Sequence, residues 1–396
     1  MTSDSPAISN PIRLGVLGLG RAFMLMLPAF RSDPRIRLVA ACAPREASRR
    51  AFQAEFGGRV YENVEGLCAD PEVEVVYIAT PHQMHADHAV AVAAAGKHIL
   101  LDKPLAVEMA DGRRIVEAAE KAGVDVIVGP SHSFDRPVQQ AGELIRSGEL
   151  GRIRMIQAFN YTDFLYRPRR PEELRTSEGG GVIFSQGVHQ IDVVRFLAGG
   201  VGTRLAAMTG AWDPDRPTEG AYSALMSFQN GCFATFTYSG YAHFDSDIWM
   251  DGIGELGQRK SPQGYGAARR TLATVLDAQQ EAALKTTRTY GAGDAPKPAD
   301  QYEHFGPIVV LCDRGDIRLV PSGLHVYGDF EQKFVPAPTF ETARTEVIDA
   351  LVQTVRHGHP AVQSARWGLA SLEACHAIIR SAETGTFVDL VEQVPV

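Results

Sequence analysis

Residues 14–20 read Leu14-Gly15-Val16-Leu17-Gly18-Leu19-Gly20. An apolar strand runs straight into a Gly-x-Gly turn, where a βαβ unit bends to receive a pyrophosphate. Gly18 permits the tight turn, and Gly20 lets the backbone approach the phosphates. The helix that follows would present free amide hydrogens and the positive end of its dipole. The third glycine of the usual fingerprint would fall at position 23, which is Phe23. The acid that ordinarily meets the ribose hydroxyls would stand at Ala43. With no carboxylate there and Arg45 and Arg49 nearby, the sequence predicts NAD as cofactor with NADP tolerated.

Outward from this turn, strand and helix signals alternate. Strands are predicted at 12–17, 37–42, 74–79, 97–101 and 124–128, and helices at 21–31, 45–56, 84–95 and 108–122. Continuous apolar runs such as Val75-Val76-Tyr77-Ile78-Ala79 suit parallel strands covered on both faces. Residues 1–130 therefore read as a doubly wound parallel sheet of α/β class. Beyond it the strands lengthen and alternate, as in Arg154 to Tyr161 and Cys232 to Tyr238. That pattern predicts a second domain, 131–396, whose sheet has one packed face. Helices are predicted at 266–286, with a loop excursion after it, and at 341–357 and 364–382.

Composition narrows the class. A chain of 396 residues suits two domains, and a formal charge of −8 argues against nucleic acid or an anionic membrane as partner. No apolar run is long enough to span a bilayer. The first ten residues are polar and show no secretion signal. Five scattered cysteines without a Cys-x-x-Cys pair fit a reducing cytoplasm.

Four clusters fall where an active site is expected, outside the carboxyl ends of the strands. Thr80-Pro81-His82-Gln83-Met84-His85 follows one buried strand. Its histidines, with His88, turn around a helix axis and lack an acid or cysteine, so no metal is expected. Leu101-Asp102-Lys103-Pro104 follows the next strand, where burial would lower the lysine pKa and make it a usable acid or base. In Gly179-Gly180-Gly181 to Asp192, helical spacing puts Ser185, His189 and Asp192 on one face. Phe164-Leu165-Tyr166-Arg167-Pro168-Arg169-Arg170-Pro171 holds guanidinium forks suited to carboxylates or phosphates.

Gly18-Leu19-Gly20-Arg21, Thr80-Pro81 with His85, Asp102-Lys103-Pro104 and Gly187-Val188-His189-Gln190-Ile191-Asp192 occur in an order that resembles the glucose–fructose oxidoreductase / inositol dehydrogenase / rhizopine catabolism (Gfo/Idh/MocA) family. The segments Gly20-Arg21-Ala22-Phe23, Asn160 to Leu174 and Tyr238 to Asp247 are similar to its phthalate 4,5-cis-dihydrodiol dehydrogenase branch. The resemblance implies an N-terminal Rossmann domain and a C-terminal α/β domain with a large open, mostly antiparallel sheet, the last helix packing back on the first domain. It implies catalysis by Lys103 and His189. Substrate would meet Tyr166, Arg167, Arg169, Arg170, Ser185, Asp192 and His132. Cofactor would meet Gly18, Gly20, Arg21, Ala22, Ala43, Arg45, Thr80, Pro81, His82, His85, Asp102 and Lys103. The family's lysine motif usually begins with Glu, here Asp102, and its usual acid four residues before the histidine is Ser185.

The expected function is NAD(P)-dependent oxidation of a hydroxyl of an anionic cyclic cis-diol such as the phthalate diol. His189 or Lys103 would serve as base. A sugar or inositol dehydrogenase is the alternative within the family, and a catalytically silent dinucleotide sensor the alternative outside it. A homo-dimer or homo-tetramer is expected, formed where apolar sheet residues such as Phe233 or Phe236 need an outer cover.

Overall fold

A computed structural model describes residues 10–293 and 297–396. Most of the polar amino terminus, and Asp294-Ala295-Pro296 of the predicted loop excursion, lie outside the described residues. The first sheet comprises β1 (Ile12–Leu17), β2 (Ile36–Cys42), β3 (Arg59–Tyr61), β4 (Val75–Ile78), β5 (His98–Leu101) and β6 (Val126–Val128), in the order β3-β2-β1-β4-β5-β6. All pairs are parallel. The order reverses between β1 and β4, which opens a crevice at their carboxyl ends. β3 escaped the sequence reading: three half-exposed or exposed residues on a sheet edge carry no apolar run.

The second sheet has nine strands: β7 (Ile153–Tyr161), β8 (Gly202–Gly210), β9 (Ala221–Phe228), β10 (Phe233–Ser239), β11 (Ile308–Cys312), β12 (Gly315–Val320), β13 (Gly323–Gly328), β14 (Gln332–Pro336) and β15 (Val388–Asp389). Their order is β14-β13-β12-β11-β7-β10-β9-β8-β15, antiparallel except at β7–β10. Its inner face buries Ile156, Ala234, Phe236 and Tyr238 under the helix Val188–Ala198. Phe236 thus belongs to the core, which corrects its expected outer placement. Phe233 is exposed on the other face, with Met208 and Phe334.

The predicted helix over 266–286 is two short helices, Ala267–Leu272 and Ala278–Thr286. The Asp277 carboxylate accepts from the Gln280 amide at 2.8 Å and starts the second one. After it the chain crosses to the first domain. The Tyr290 amide donates to the Leu19 carbonyl at 3.3 Å, and its hydroxyl to Glu55 at 2.6 Å. Its ring stands edge-on to Phe23 at 5.3 Å. Phe23, at the missing third glycine, is therefore a packing residue. The last helix, Ala365–Thr384, buries Leu369 and Leu372 beside Gly112 of the first domain. No described helix is long and apolar enough to cross a membrane.

Candidate active site

The turn after β1 is shaped for a dinucleotide. Gly18 has φ +100°, and an added Cβ would lie 2.6 Å from the Ala79 carbonyl oxygen. At Gly20 an added Cβ would meet nothing closer than that same oxygen at 3.7 Å. The room before Gly20 is thus open, and no side chain caps the helix Arg21–Ser32 that starts there. Free amides, an open cradle and the adjoining Arg21 and Ala22 fit a pyrophosphate. Ala43 follows β2 and is buried, its carbonyl held by Arg49 at 2.7 Å. Arg45 donates to the Tyr290 carbonyl at 3.3 Å. Burial and then Arg170 push its pKa down, so Arg170 of the second domain lies near Arg45. Arg49 pairs with Glu62 at 2.5 Å, whereas among the described residues Arg45 and Arg170 have no ion-pair partner.

The three histidines after β4 part company. His85 lies 3.0 Å from the Thr80 carbonyl and 2.9 Å from that of Pro104, so its buried ring joins the loops after β4 and β5. His88 meets the Thr80 hydroxyl at 3.0 Å. His82 meets the Gly179 carbonyl of the second domain at 3.2 Å, and burial first, then His85 and Lys103, lowers its pKa to about 3.

Lys103 donates from Nζ to the Ser185 carbonyl at 2.7 Å. Burial lowers its pKa; Asp102 opposes the shift and Arg344 adds to it. Residues Ile183–Gly187 form a π-helical turn at the start of the helix Val188–Ala198. That widened turn aims the Ser185 carbonyl at the lysine. The sequence pointed to the Ser185 hydroxyl, whereas the structure uses its main chain. The glycines before it serve packing: at Gly181 (φ +75°) an added Cβ would lie 2.1 Å from the Glu219 carboxylate.

His189 follows one turn later, 8 % exposed. Burial, then Lys103, His132 and Arg344, holds its pKa well below the usual value, so the ring is neutral and able to accept a proton. Its Nδ1 lies 3.4 Å from the Ser131 hydroxyl, which donates to Asp192 at 2.5 Å. Asp192 also accepts from the Ser133 amide at 3.3 Å and from Trp367 Nε1 at 2.5 Å. Its carboxylate is thus spent inside the protein, behind the histidine. This corrects its expected place on the substrate.

The arginine tract divides. Arg167 meets Asp163 at 3.1 Å and Glu255 at 3.5 Å. Arg169 is buried with its guanidinium 3.5 Å over the Phe164 ring. One nitrogen donates to the Phe164 carbonyl at 2.8 Å, its nearest acid is Glu173 at 4.0 Å, and Nε has no partner. Burial lowers its pKa to about 10. Its charge also acts on Lys103, so the two cations share one site. Tyr166 lies elsewhere, lining an open hollow of about 460 Å³ with Trp212 and Tyr241, under Arg269.

Glu255, Glu303 and Arg344 gave no sequence signal, whereas His132 was expected on the substrate. Glu255 accepts from Asn160 at 2.9 Å and faces Arg167, Lys103 and His132. Arg344 holds Glu303 at 3.0 Å from a left-handed backbone, φ +69°. His132 meets Asp135 at 2.7 Å, with its ring 4.8 Å from that of His189. His132, Asp135 and Glu303 lie close enough to suggest metal ligands. Both carboxylates are already engaged, by His132 and by Arg344.

Comparison with known proteins identifies the family. Residues 12–130 match the Gfo/Idh/MocA oxidoreductase family model, NAD-binding Rossmann fold, and residues 138–258 match the Gfo/Idh/MocA C-terminal domain. The chain is 45% identical over 379 residues to the 1-carboxy-3-chloro-3,4-dihydroxycyclohexa-1,5-diene dehydrogenase of Comamonas testosteroni, covering 94% of this chain and 95% of that protein. A solved structure from Bordetella bronchiseptica RB50 superposes with TM-score 0.91 at 41% identity, over 96% of this chain and all (100%) of that one. The WlbA dehydrogenase of Bordetella pertussis, solved with NADH and UDP-GlcNAcA, shares the fold at TM-score 0.69 and 21% identity, over 96% and 99% of the two chains. The chain belongs to the Gfo/Idh/MocA family and is an NAD(P)-dependent oxidoreductase.

Proposed function

We propose that the protein oxidises one hydroxyl of a carboxylated cyclohexadiene cis-diol, and that phthalate 4,5-cis-dihydrodiol is such a substrate. The observation that carries this is Arg169, a buried guanidinium with an unpartnered Nε beside the catalytic lysine. A buried guanidinium whose nearest carboxylate, Glu173, stands 4.0 Å away is incompletely paired, and a substrate carboxylate would complete its pairing. The printed activity of the Comamonas testosteroni relative, on a carboxylated diol, supports the same class.

The nicotinamide, when bound, supplies the hydride acceptor. Gly18, Gly20, Arg21, Thr80 and Pro81 would hold the cofactor, with Arg45 and Arg170 beside its ribose. Neutral His189 takes the hydroxyl proton as the carbon loses hydride. Lys103, held by Ser185, donates to the same oxygen and stabilises its negative charge. Arg169 fixes the carboxylate, which orients the ring. The resulting ketone of a cyclohexadiene tautomerises to a catechol, so aromatisation drives the reaction forward.

The exposed face of the nine-stranded sheet, with Phe233, Met208 and Phe334, is the surface through which we expect copies to pair. Cytoplasmic location fits the reduced cysteines.

The test is production of reduced nicotinamide from phthalate diol, inositol, glucose and a buffer blank. Turnover of the carboxylated diol alone supports the reading. Preference for inositol or glucose transfers it to polyols, and silence with every substrate favours a sensor.

A further inference from the structure

Each oxidation leaves one proton at the buried His189, while substrate and cofactor would cover its open side. Behind it lies a second route. The His132 ring stands edge-on to His189 at 4.8 Å, and its Nδ1 meets Asp135 at 2.7 Å. A small cavity, about 10 Å³ in volume, borders His189, His132, Asp135, Glu303, Arg344 and Glu346. That is room for about one water. Glu346, in the first turn of the helix Thr345–His357, is half-buried and lines the outer part of this path.

The geometry points to a proton exit in which His132, Asp135 and Glu346 carry the proton from His189 to solvent. It rests on the dehydrogenase reading above. His189 passes its proton to His132, directly or through a cavity water. The His132–Asp135 pair passes one on, and Glu346 releases it. No electrons move, and one proton leaves for each hydride transferred. The surrounding charges suit this direction. Lys103 and Arg344 face His189 and disfavour its charged form, while Asp135, Glu303 and Glu255 face His132 and favour a proton there. Burial also raises Glu346 to about 7 and pushes Asp135 above the usual carboxylate range, against the opposing charge of His132. Arg344 holds Glu303 in an ion pair, which leaves Glu346 as the acid free to relay.

The test is the buffer dependence of kcat at saturating NAD and diol, in wild type, His132→Ala and Glu346→Gln. Wild-type kcat is expected to be flat with buffer concentration. Both variants should turn over about tenfold or more slowly in dilute buffer. Imidazole should restore His132→Ala, and both should show a larger solvent deuterium effect than wild type. A variant with unchanged kcat, or with slow turnover indifferent to imidazole and deuterium, overturns the relay. Cofactor titration identifies any His132→Ala protein that has not folded. Glu346→Gln, which keeps the size of the side chain, then decides the matter alone. Wild type that oxidises no diol refutes the proposed function instead.

Discussion

The Lys103 ammonium is hydrogen-bonded to the Ser185 carbonyl at 2.7 Å, across the junction of the two domains. The loop after β5 therefore shares one contact with the π-helical turn that leads into His189. Lys103→Ala and His189→Ala should each lower turnover by about 10²–10⁴ while cofactor still binds. The double variant should cost less than the product of the two, because both act on one oxygen. Stopped-flow turnover with parallel cofactor titration checks this, and near-normal rates in both single variants would contradict it.

The pH profile should report Asp102. Its charge raises the Lys103 pKa against burial. In the proposed mechanism the charged lysine is the active form, so activity is expected to fall as pH rises through its pKa. Asp102→Asn removes the supporting charge and should move the descending limb of kcat/KM to lower pH. An unmoved or more alkaline limb would show that Lys103 works uncharged.

Gly18 and Gly20 should fail in different ways. Gly18→Ala forces a side chain into φ +100° and against the Ala79 carbonyl. A loss of about 1 kcal/mol or more in stability is expected. Gly20→Val finds room within the protein but invades the pyrophosphate position, so cofactor affinity should fall with the melting temperature retained. Thermal melts with and without NAD separate the two.

Cofactor choice should depend on both domains. Arg45→Ala and Arg170→Ala should each raise KM for NADP more than for NAD, since two neighbouring guanidiniums suit a 2′-phosphate. Equal effects on both cofactors would assign these arginines to the protein surface.

Much of this was legible in the sequence because it is local. The strand–glycine turn, the apolar β4 and β5 runs, Lys103 and His189 each announce themselves within a few residues. The three-residue β3 has too little pattern to show. The helix break before Asp277 carries no glycine or proline to mark it. Asp192 sits on the correct helix face by spacing, yet Trp367, far along the chain, claims its carboxylate. Glu255, Glu303 and Arg344 reach the site from separate loops, and their neighbours exist only in three dimensions. The arginine tract shows the same limit: three cations in four residues take three different surroundings.

The sheet face should govern assembly. Phe233 is 42 % exposed on it. Phe233→Glu should weaken pairing of copies, read as a lower mass in light scattering at micromolar concentration. A wild-type monomer under those conditions would contradict a sheet-to-sheet dimer.

The most direct measurement compares KM for phthalate 4,5-cis-dihydrodiol and for an uncharged cyclohexadiene cis-diol in wild type and Arg169→Met. If Arg169 holds the substrate carboxylate, its loss leaves that charge unpaired at a cost of about 2–5 kcal/mol. KM for the carboxylated diol should rise correspondingly, with the uncharged diol little affected. Equal changes for both diols would contradict the assignment of Arg169 to the carboxylate, and with it the proposed substrate class.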